Sequence, residues 1–200
     1  LLVTFGILSI SIASAYSVMV GFSMPYWPDE QVRTFEEEDW LPPAESIEEE
    51  LAIYRGSWIG QLPHRAEASF FMQTFVFLIL FLWRAGGLML IGMALYRWGV
   101  LTGKRSNTFY TAMIVIGVLV GFPLIMYGVR CNFAAVWDVK YSFFLGGQFN
   151  YWGSLMVSTA YIGAIMIACQ VQRLLTLLWP LAAIGQMALT NYLLHSIICT

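Results

Sequence analysis

The fold is decided by residues 70–96, which read FFMQTFVFLILFLWRAGGLMLIGMALY. This stretch carries a single charged residue, Arg84, among side chains that are almost all apolar. A helix needs about 20 predominantly apolar residues to cross the hydrocarbon core of a bilayer. The stretch therefore predicts a membrane-spanning helix. Its single charged residue, Arg84, is a candidate functional residue inside the membrane.

Four further apolar runs predict spans of the same kind, at residues 2–22, 108–129, 150–169 and 179–200. We therefore predict an all-α fold, a polytopic transmembrane helix bundle with about five spans. The composition agrees, because 59% of residues are hydrophobic and only 11% are charged, against about 25% charged in soluble globular proteins. A net charge of -2 without a basic tract argues against nucleic-acid binding. The expected partners are the lipid bilayer and other membrane helices, belonging to a longer chain of which this is a piece or to an oligomer.

The acidic residues divide the chain into three parts. Eleven of the twelve lie between Asp29 and Glu67. We expect a transmembrane span at residues 1–24, an acidic extramembrane insert at 25–68, and a four-span membrane body at 69–200.

Residues 47–62 of the insert predict an amphipathic surface helix. Ser46 and Glu49 have the spacing of a capping box, and apolar residues recur at helical spacing as far as Trp58. Pro63 is expected to end the helix. Its apolar stripe should lie on lipid or on the bundle, whereas the glutamate runs are typical of a solvated face.

Basic residues suggest the orientation of the spans. Cytoplasmic loops of membrane proteins carry an excess of lysine and arginine. The short connections at 97–108 and 170–178 are the densest in such residues, which are Arg97, Lys104, Arg105 and Arg173. The insert would then face the outside.

Arg84 is the sharpest candidate for function. A central arginine costs at least ~2.5–3.5 kcal/mol on insertion scales, so it should face protein, water or a ligand. Its planar guanidinium suits a phosphate or carboxylate, but a purely structural anchor bonded to carbonyls or a buried amide is an equal alternative. The candidate partners are Asn150, Tyr151, Gln186, Asn191 and Asp138.

Two residues are candidate general bases. His64 follows a proline at the expected outer boundary, and histidine is the commonest general base in proton transfer; the alternative is an ordinary interface histidine. Asp138 is the only acid outside the insert. It could serve as a base or pair with a basic neighbour, Arg130 or Lys140.

The last predicted span contains polar side chains. Asn191 and His195 share one helix face at i,i+4 and could line a substrate path or bond to neighbouring helices. Cys131, Cys169 and Cys199 have no metal-binding or redox spacing, so no metal site is expected.

Several short motifs resemble those of the YeiB-like membrane proteins, the family of domain of unknown function 418. The residues that carry the resemblance are YRG at 54–56, WRAGGLM at 83–89, WGVL at 98–101, NFA at 132–134, QFNYWGS at 148–154 and GQMALTNYL at 185–193.

The resemblance implies a bacterial inner-membrane protein, in which an insert facing outward, as the basic loops suggest, would lie in the periplasm. It also implies a distant similarity to membrane acyltransferases of the heparan-glucosaminide acetyltransferase type. In an acyltransferase, Arg84 and Arg55 would hold an anionic donor such as acyl-coenzyme A, and His64 or Asp138 would be the base. In a transporter of a small anionic solute or lipid, substrate contacts would be made by Arg84, Asn150, Tyr151, Gln186, Asn191 and His195. A non-catalytic assembly subunit is the third alternative.

Overall fold

The chain is all-α over the part described by the computed structural model. This part comprises residues 1–198, without the side chains of residues 39, 172, 173, 175–178, 196 and 197. The helices are α1 (Leu2–Tyr26), α2 (Asp29–Phe35, continued by a π-helical segment Glu36–Trp40), α3 (Ala44–Arg55), α4 (Trp58–Arg97), α5 (Asn107–Ala134), α6 (Val139–Gln170), α7 (Gln172–Gln186) and α8 (Ala188–Ile198).

Four of these helices, α1, α4, α5 and α6, are long and apolar enough to cross a membrane. They contain the first four predicted spans. The fifth predicted span, 179–200, is different within the described residues, because it falls in two shorter helices that meet at Met187. Its first part continues a helix that already begins at Gln172.

The spans pack as antiparallel neighbours through small residues. In the α1–α4 contact, a Cβ on Gly87 would lie 2.6 Å from the carbonyl oxygen of Gly6. In the α5–α6 contact, a Cβ on Gly121 would lie 2.9 Å from the backbone nitrogen of Val157. Small residues let backbones approach this closely in lipid, and Gly117 and Gly121 form a GxxxG motif on the face of α5 that contacts α6.

Pro123 in α5 is accommodated by a local widening of the helix. Proline lacks an N–H and its ring clashes with the carbonyl four residues earlier in a regular α-helix. The preceding residues, Gly117–Gly121, form a π-helical segment, whose wider turn relieves that clash.

The insert departs from its predicted helix. The surface helix α3 begins at Ala44, so Ser46 lies inside it and makes no capping bond. It ends at Arg55 rather than at residue 62. Ser57 then caps α4, because its hydroxyl accepts a hydrogen bond from the backbone N–H of Gly60 at 3.2 Å.

Pro63 does not end the helix, and α4 runs from the insert into the membrane. Pro63 leaves the carbonyl of Ile59 without its helical partner, but Ile59 is 74% exposed and water can bond to that carbonyl. The insert and the membrane body are therefore joined by one continuous helix of 40 residues.

The connection between α5 and α6 is a tight turn rather than a long loop. It consists of residues 135–138, and it places Val136 and Trp137 at φ 52° and 57°. Left-handed backbone is unusual for a β-branched residue such as valine. The turn lies at the same end of the bundle as the insert, whereas the loop 98–106 with Lys104 and Arg105 lies at the other end.

Candidate functional site

Arg84 lies where α1, α4 and α6 meet inside the bundle. Its Nη2 donates a hydrogen bond to Ser154 Oγ at 2.9 Å and a longer one to the carbonyl oxygen of Tyr151 at 3.4 Å. The guanidinium carbon lies 3.9 Å from the centre of the Tyr151 ring. The predicted contact between Arg84 and Tyr151 is confirmed, and Arg84 faces protein rather than lipid.

The guanidinium keeps donors for a further group. An arginine has five N–H donors, and both of the bonds above come from Nη2. No other hydrogen bond of Arg84 is found among the described side chains. The aromatic face of Tyr151 attracts the cation without using its N–H groups, so the remaining fork can receive an oxyanion.

A chain of hydrogen bonds fixes α1 against α6 beside Arg84. The Tyr151 hydroxyl donates to the carbonyl oxygen of Ile10 at 2.9 Å. Gln148 accepts from the buried Ser14 hydroxyl at 2.6 Å and donates to Ser17 Oγ at 3.1 Å. Polar groups are costly in hydrocarbon unless they are paired, so these bonds hold the ring of Tyr151 in place under the guanidinium.

A cavity of about 280 Å³ opens beside this network. Arg84, Gln148 and Ser17 provide its polar groups near Tyr151, and the rest of the wall is mostly apolar and aromatic. The apolar and aromatic wall includes Ala13, Tyr16, Leu80, Phe81, Phe143 and Phe144. Concave, mostly apolar cavities with a few convergent polar groups are typical ligand sites.

The cavity lies near the middle of the candidate spans. Tyr151 bonds to Ile10, which is about 12 Å from the start of α1 and about 20 Å from Ser23 at 1.5 Å per residue. Phe143 and Phe144 lie nearer to the insert, since they precede Tyr151 along α6. The cavity thus has the cationic Arg84 at mid-depth and the aromatic rings of Phe143 and Phe144 on the side toward the insert.

The insert covers that aromatic wall. The ring of Phe35 lies 5.2 Å from the ring of Phe143 and 5.8 Å from that of Phe144. The Trp40 ring lies 5.7 Å from Phe143, and its Nε1 donates to the carbonyl oxygen of Trp137 at 3.0 Å. The strained turn after α5 is therefore tied to the insert by Trp40.

The two candidate bases lie far from Arg84. His64 contacts the surface helix α3, with Nε2 3.8 Å from Glu50 Oε1 and its ring 5.6 Å from that of Tyr54. Twenty residues of one helix separate His64 from Arg84, or about 30 Å. Asp138 is exposed and forms no ion pair among the described side chains. It precedes Tyr151 by thirteen residues, or about 20 Å along α6.

The remaining candidates stand on α3, α6, α7 and α8. Arg55 is exposed in the last turn of α3, and Asn150 is exposed on α6. Gln186, Asn191 and His195 belong to α7 and α8. The Asn191 amide donates to the carbonyl oxygen of Ile184 at 3.3 Å, which bridges the junction of these two helices. None of these residues is a hydrogen-bond partner of Arg84, and their substrate-binding roles stay predictions.

Sequence reasoning missed Ser14, Gln148 and Ser154 as members of the site. Ser154 lies three residues after Tyr151, so it shares a helix face with it. That spacing was a usable signal. The bond between Ser14 and Gln148 joins residues 134 positions apart, and only the packing of α1 on α6 reveals it.

The family model described as "Protein of unknown function (DUF418)" matches residues 95–200, more than half of the chain. The chain belongs to the DUF418 family. It is also 31% identical to "Uncharacterized protein YeiB" of Escherichia coli (strain K12) in an alignment 131 residues long that covers 59% of this chain and 31% of YeiB. The chain therefore spans about a third of that relative's length. No solved structure matches. The family and the four apolar helices make this a YeiB-like membrane protein.

Proposed function

We propose that this protein binds the anionic group of its substrate at Arg84, in the cavity between α1, α4 and α6. The observation that carries the proposal is the half-buried guanidinium with unused N–H donors beside an apolar cavity. A cation held at mid-depth recognises a carboxylate or phosphate far more strongly than one in water, because the local dielectric is low. The site fits the bacterial inner membrane that the resemblance implies.

Coenzyme A does not fit the described cavity as its occupant. That cofactor carries several phosphate groups, whereas Arg84 is the one cationic side chain among the described residues that line the cavity. A volume of about 280 Å³ suits one anionic group with part of an apolar chain. We therefore derive no step from an acyl-coenzyme A donor at this site.

Transport or presentation of an anionic amphiphile is the better supported activity. Neither His64 nor Asp138 lies within reach of a group held by Arg84, and proton transfer needs a base within hydrogen-bond distance or one water away. Acyl transfer to a cell-envelope acceptor is the second candidate, supported by the family resemblance. It requires a base other than His64 and Asp138.

Binding to the purified full-length protein tests the proposal. The probes are phosphatidic acid and its water-soluble headgroup glycerol phosphate, with diacylglycerol as the uncharged match to the lipid. We expect Arg84→Met to weaken binding of at least one anionic probe by about thirtyfold or more, since truncating one partner of a buried charge pair costs about 2–5 kcal/mol. Binding of diacylglycerol should not change.

Two further variants sharpen this test. Arg84→Lys keeps the charge but loses the fork, so it should bind the anion with intermediate affinity. Arg97→Met removes an arginine from the C-terminal end of α4, away from the cavity, and should leave binding of the anionic probes unchanged. Equal anion binding by wild-type protein and folded Arg84→Met would leave Arg84 as a structural anchor only.

A further inference from the structure

We infer that the ligand of Arg84 is the headgroup of an anionic lipid that enters sideways from the bilayer, while α2 closes the route from the aqueous side. The inference rests on the proposed function and narrows its substrate class. It depends on three observations: α2 packs on the aromatic wall of the cavity, α2 is acidic, and the flank of the cavity between α1 and α4 is exposed on the outer surface of the bundle.

The insert packs against the α6 side of the cavity at the end that faces the insert, where Phe143 stays 42% exposed. Phe143 and Phe144 form that end of the wall, and Phe35 packs on both of them. Trp40 adds an edge contact to Phe143 and a hydrogen bond to Trp137. A solute arriving from water on this side meets a layer of aromatic rings before it reaches Arg84.

The closing segment also repels anions. Residues 29–40 contain six acidic residues and one arginine, Arg33. That arginine pairs with Glu37 of the same segment, with Nε 3.6 Å from Oε1. A cleft or entrance with one sign of charge lowers the local concentration of solutes of the same sign. A water-soluble anion that approaches Arg84 from this side must therefore pass the acidic segment α2, which repels it.

The flank of the cavity between α1 and α4 is apolar and, among the described residues, carries no such acidic segment. Tyr16, Leu80 and Phe81 line the cavity and are also exposed on the outer surface of the described bundle. These side chains suit contact with acyl chains. A lipid could place its headgroup beside Arg84 and keep its tails in the bilayer, which matches a cavity too small for a whole lipid. The charge of Arg84 and the apolar flank together select an anionic lipid.

A photoactivatable phosphatidic acid with a diazirine in its acyl chain tests the route. The full-length protein is reconstituted in phosphatidylcholine nanodiscs with this lipid, illuminated and digested. We expect crosslinks on α1 and α4 near Tyr16 and Phe81, reduced about fivefold or more in Arg84→Met, as a lost charge-assisted contact implies. A matched diacylglycerol probe should give weak crosslinks that do not depend on Arg84.

Competition separates this inference from the proposed function. An excess of glycerol phosphate should not reduce the crosslinks of the wild-type protein. If glycerol phosphate displaces the lipid and binds in an Arg84-dependent manner, the proposed function stands and the lipid route is wrong. If neither probe depends on Arg84, in Arg84→Met or in the charge-conserving Arg84→Lys, the proposed function fails as well.

A cysteine in the cavity tests the cover directly. Gly147 lines the cavity, and a Cβ there has only one neighbour within 4 Å, at 4.0 Å. In a background without native cysteines, Gly147→Cys should react slowly with a membrane-impermeant maleimide, and Phe35→Ala with Trp40→Ala should accelerate it about tenfold, as loss of a packed cover exposes the thiol. Glu37→Cys is the freely accessible control. Equal rates for Gly147→Cys and Glu37→Cys under an intact cover would overturn the inference.

Discussion

Ser154 sets the position of the Arg84 guanidinium with one short hydrogen bond of 2.9 Å. Ser154→Ala removes that bond inside the membrane, where hydrogen bonds between helices contribute about 0.6 kcal/mol on average and up to about 1.7 kcal/mol. We expect a loss of that size in the free energy of unfolding, measured by denaturant titration in detergent. Ser158→Ala is the control, because its hydroxyl donates only to the backbone carbonyl of Ser154. Equal losses would contradict a role for the Arg84 bond.

Gly121 tests the close contact of α5 with α6. A Cβ there would lie 2.9 Å from the Val157 nitrogen and 3.1 Å from the Gly153 oxygen, which are backbone atoms. Gly121→Leu should lower the free energy of unfolding by about 1–3 kcal/mol, the usual range for overpacking. Gly92→Leu is the matched control, because a Cβ at Gly92 meets nothing within 4 Å. A similar loss in both variants would show that the effect comes from leucine rather than from the crossing.

At the residue scale, the sequence predicts which single residues belong to the site better than it predicts which residues contact each other. Arg84 is evident because one charge stands in a long apolar run, and the high cost of a buried charge requires a partner. The sequence also names Tyr151 as a candidate partner, which the structure confirms. It cannot identify Ser14 with Gln148, because that pair depends on the rotation of α1 against α6. Hydrophobic periodicity is uninformative in helices that are apolar on every side.

The start of α4 gives a prediction at the scale of the element. Ser57→Ala removes the hydroxyl that accepts the N–H of Gly60, and loss of such a cap costs about 0.5–2 kcal/mol. We expect faster hydrogen exchange of the backbone amides of residues 60–62. Ser46→Ala is the control, because Ser46 lies inside α3 and caps nothing. Faster exchange in Ser46→Ala than in Ser57→Ala would favour the capping box that the sequence suggests.

Helix boundaries were predicted less well than helices. Four of the predicted apolar runs lie in helices long and apolar enough to cross a membrane, because run length and composition can be read directly from the sequence. The ends are decided by local competition. Pro43 precedes α3 and permits a start at Ala44, two residues before the capping box at Ser46. Pro63 is tolerated because it stands near an exposed helix start. Gly185 stands two residues before the junction at Met187, and glycine disfavours helix there because it loses more conformational entropy on folding than any other residue.

At the scale of the whole molecule, the packing of α6 organises the bundle. One face of α6 contacts α5 through Gly117 and Gly121, and another contacts α1 through Ser14 and Ser17. Arg84 adds a link from α4 to α6. Because α1 also packs on α4, the three helices around the cavity are held pairwise. The site therefore lies where α6 contacts both α1 and α4, and Ser154 and Tyr151 of α6 supply the polar and aromatic partners that a charge inside the bundle needs.

The same arrangement predicts the topology of the membrane protein. The insert and the α5–α6 turn lie at one end of the spans, and the loop 98–106 with Lys104 and Arg105 lies at the other. Positive residues in short loops favour the cytoplasm, so the insert should be periplasmic. In intact cells, an impermeant maleimide should label Glu37→Cys, whereas Thr102→Cys should react only after the membrane is opened. Both positions are exposed, so accessibility depends on side alone. Labelling of both in intact cells would contradict the separation, and labelling of Thr102→Cys only would reverse the orientation while leaving the bundle as described.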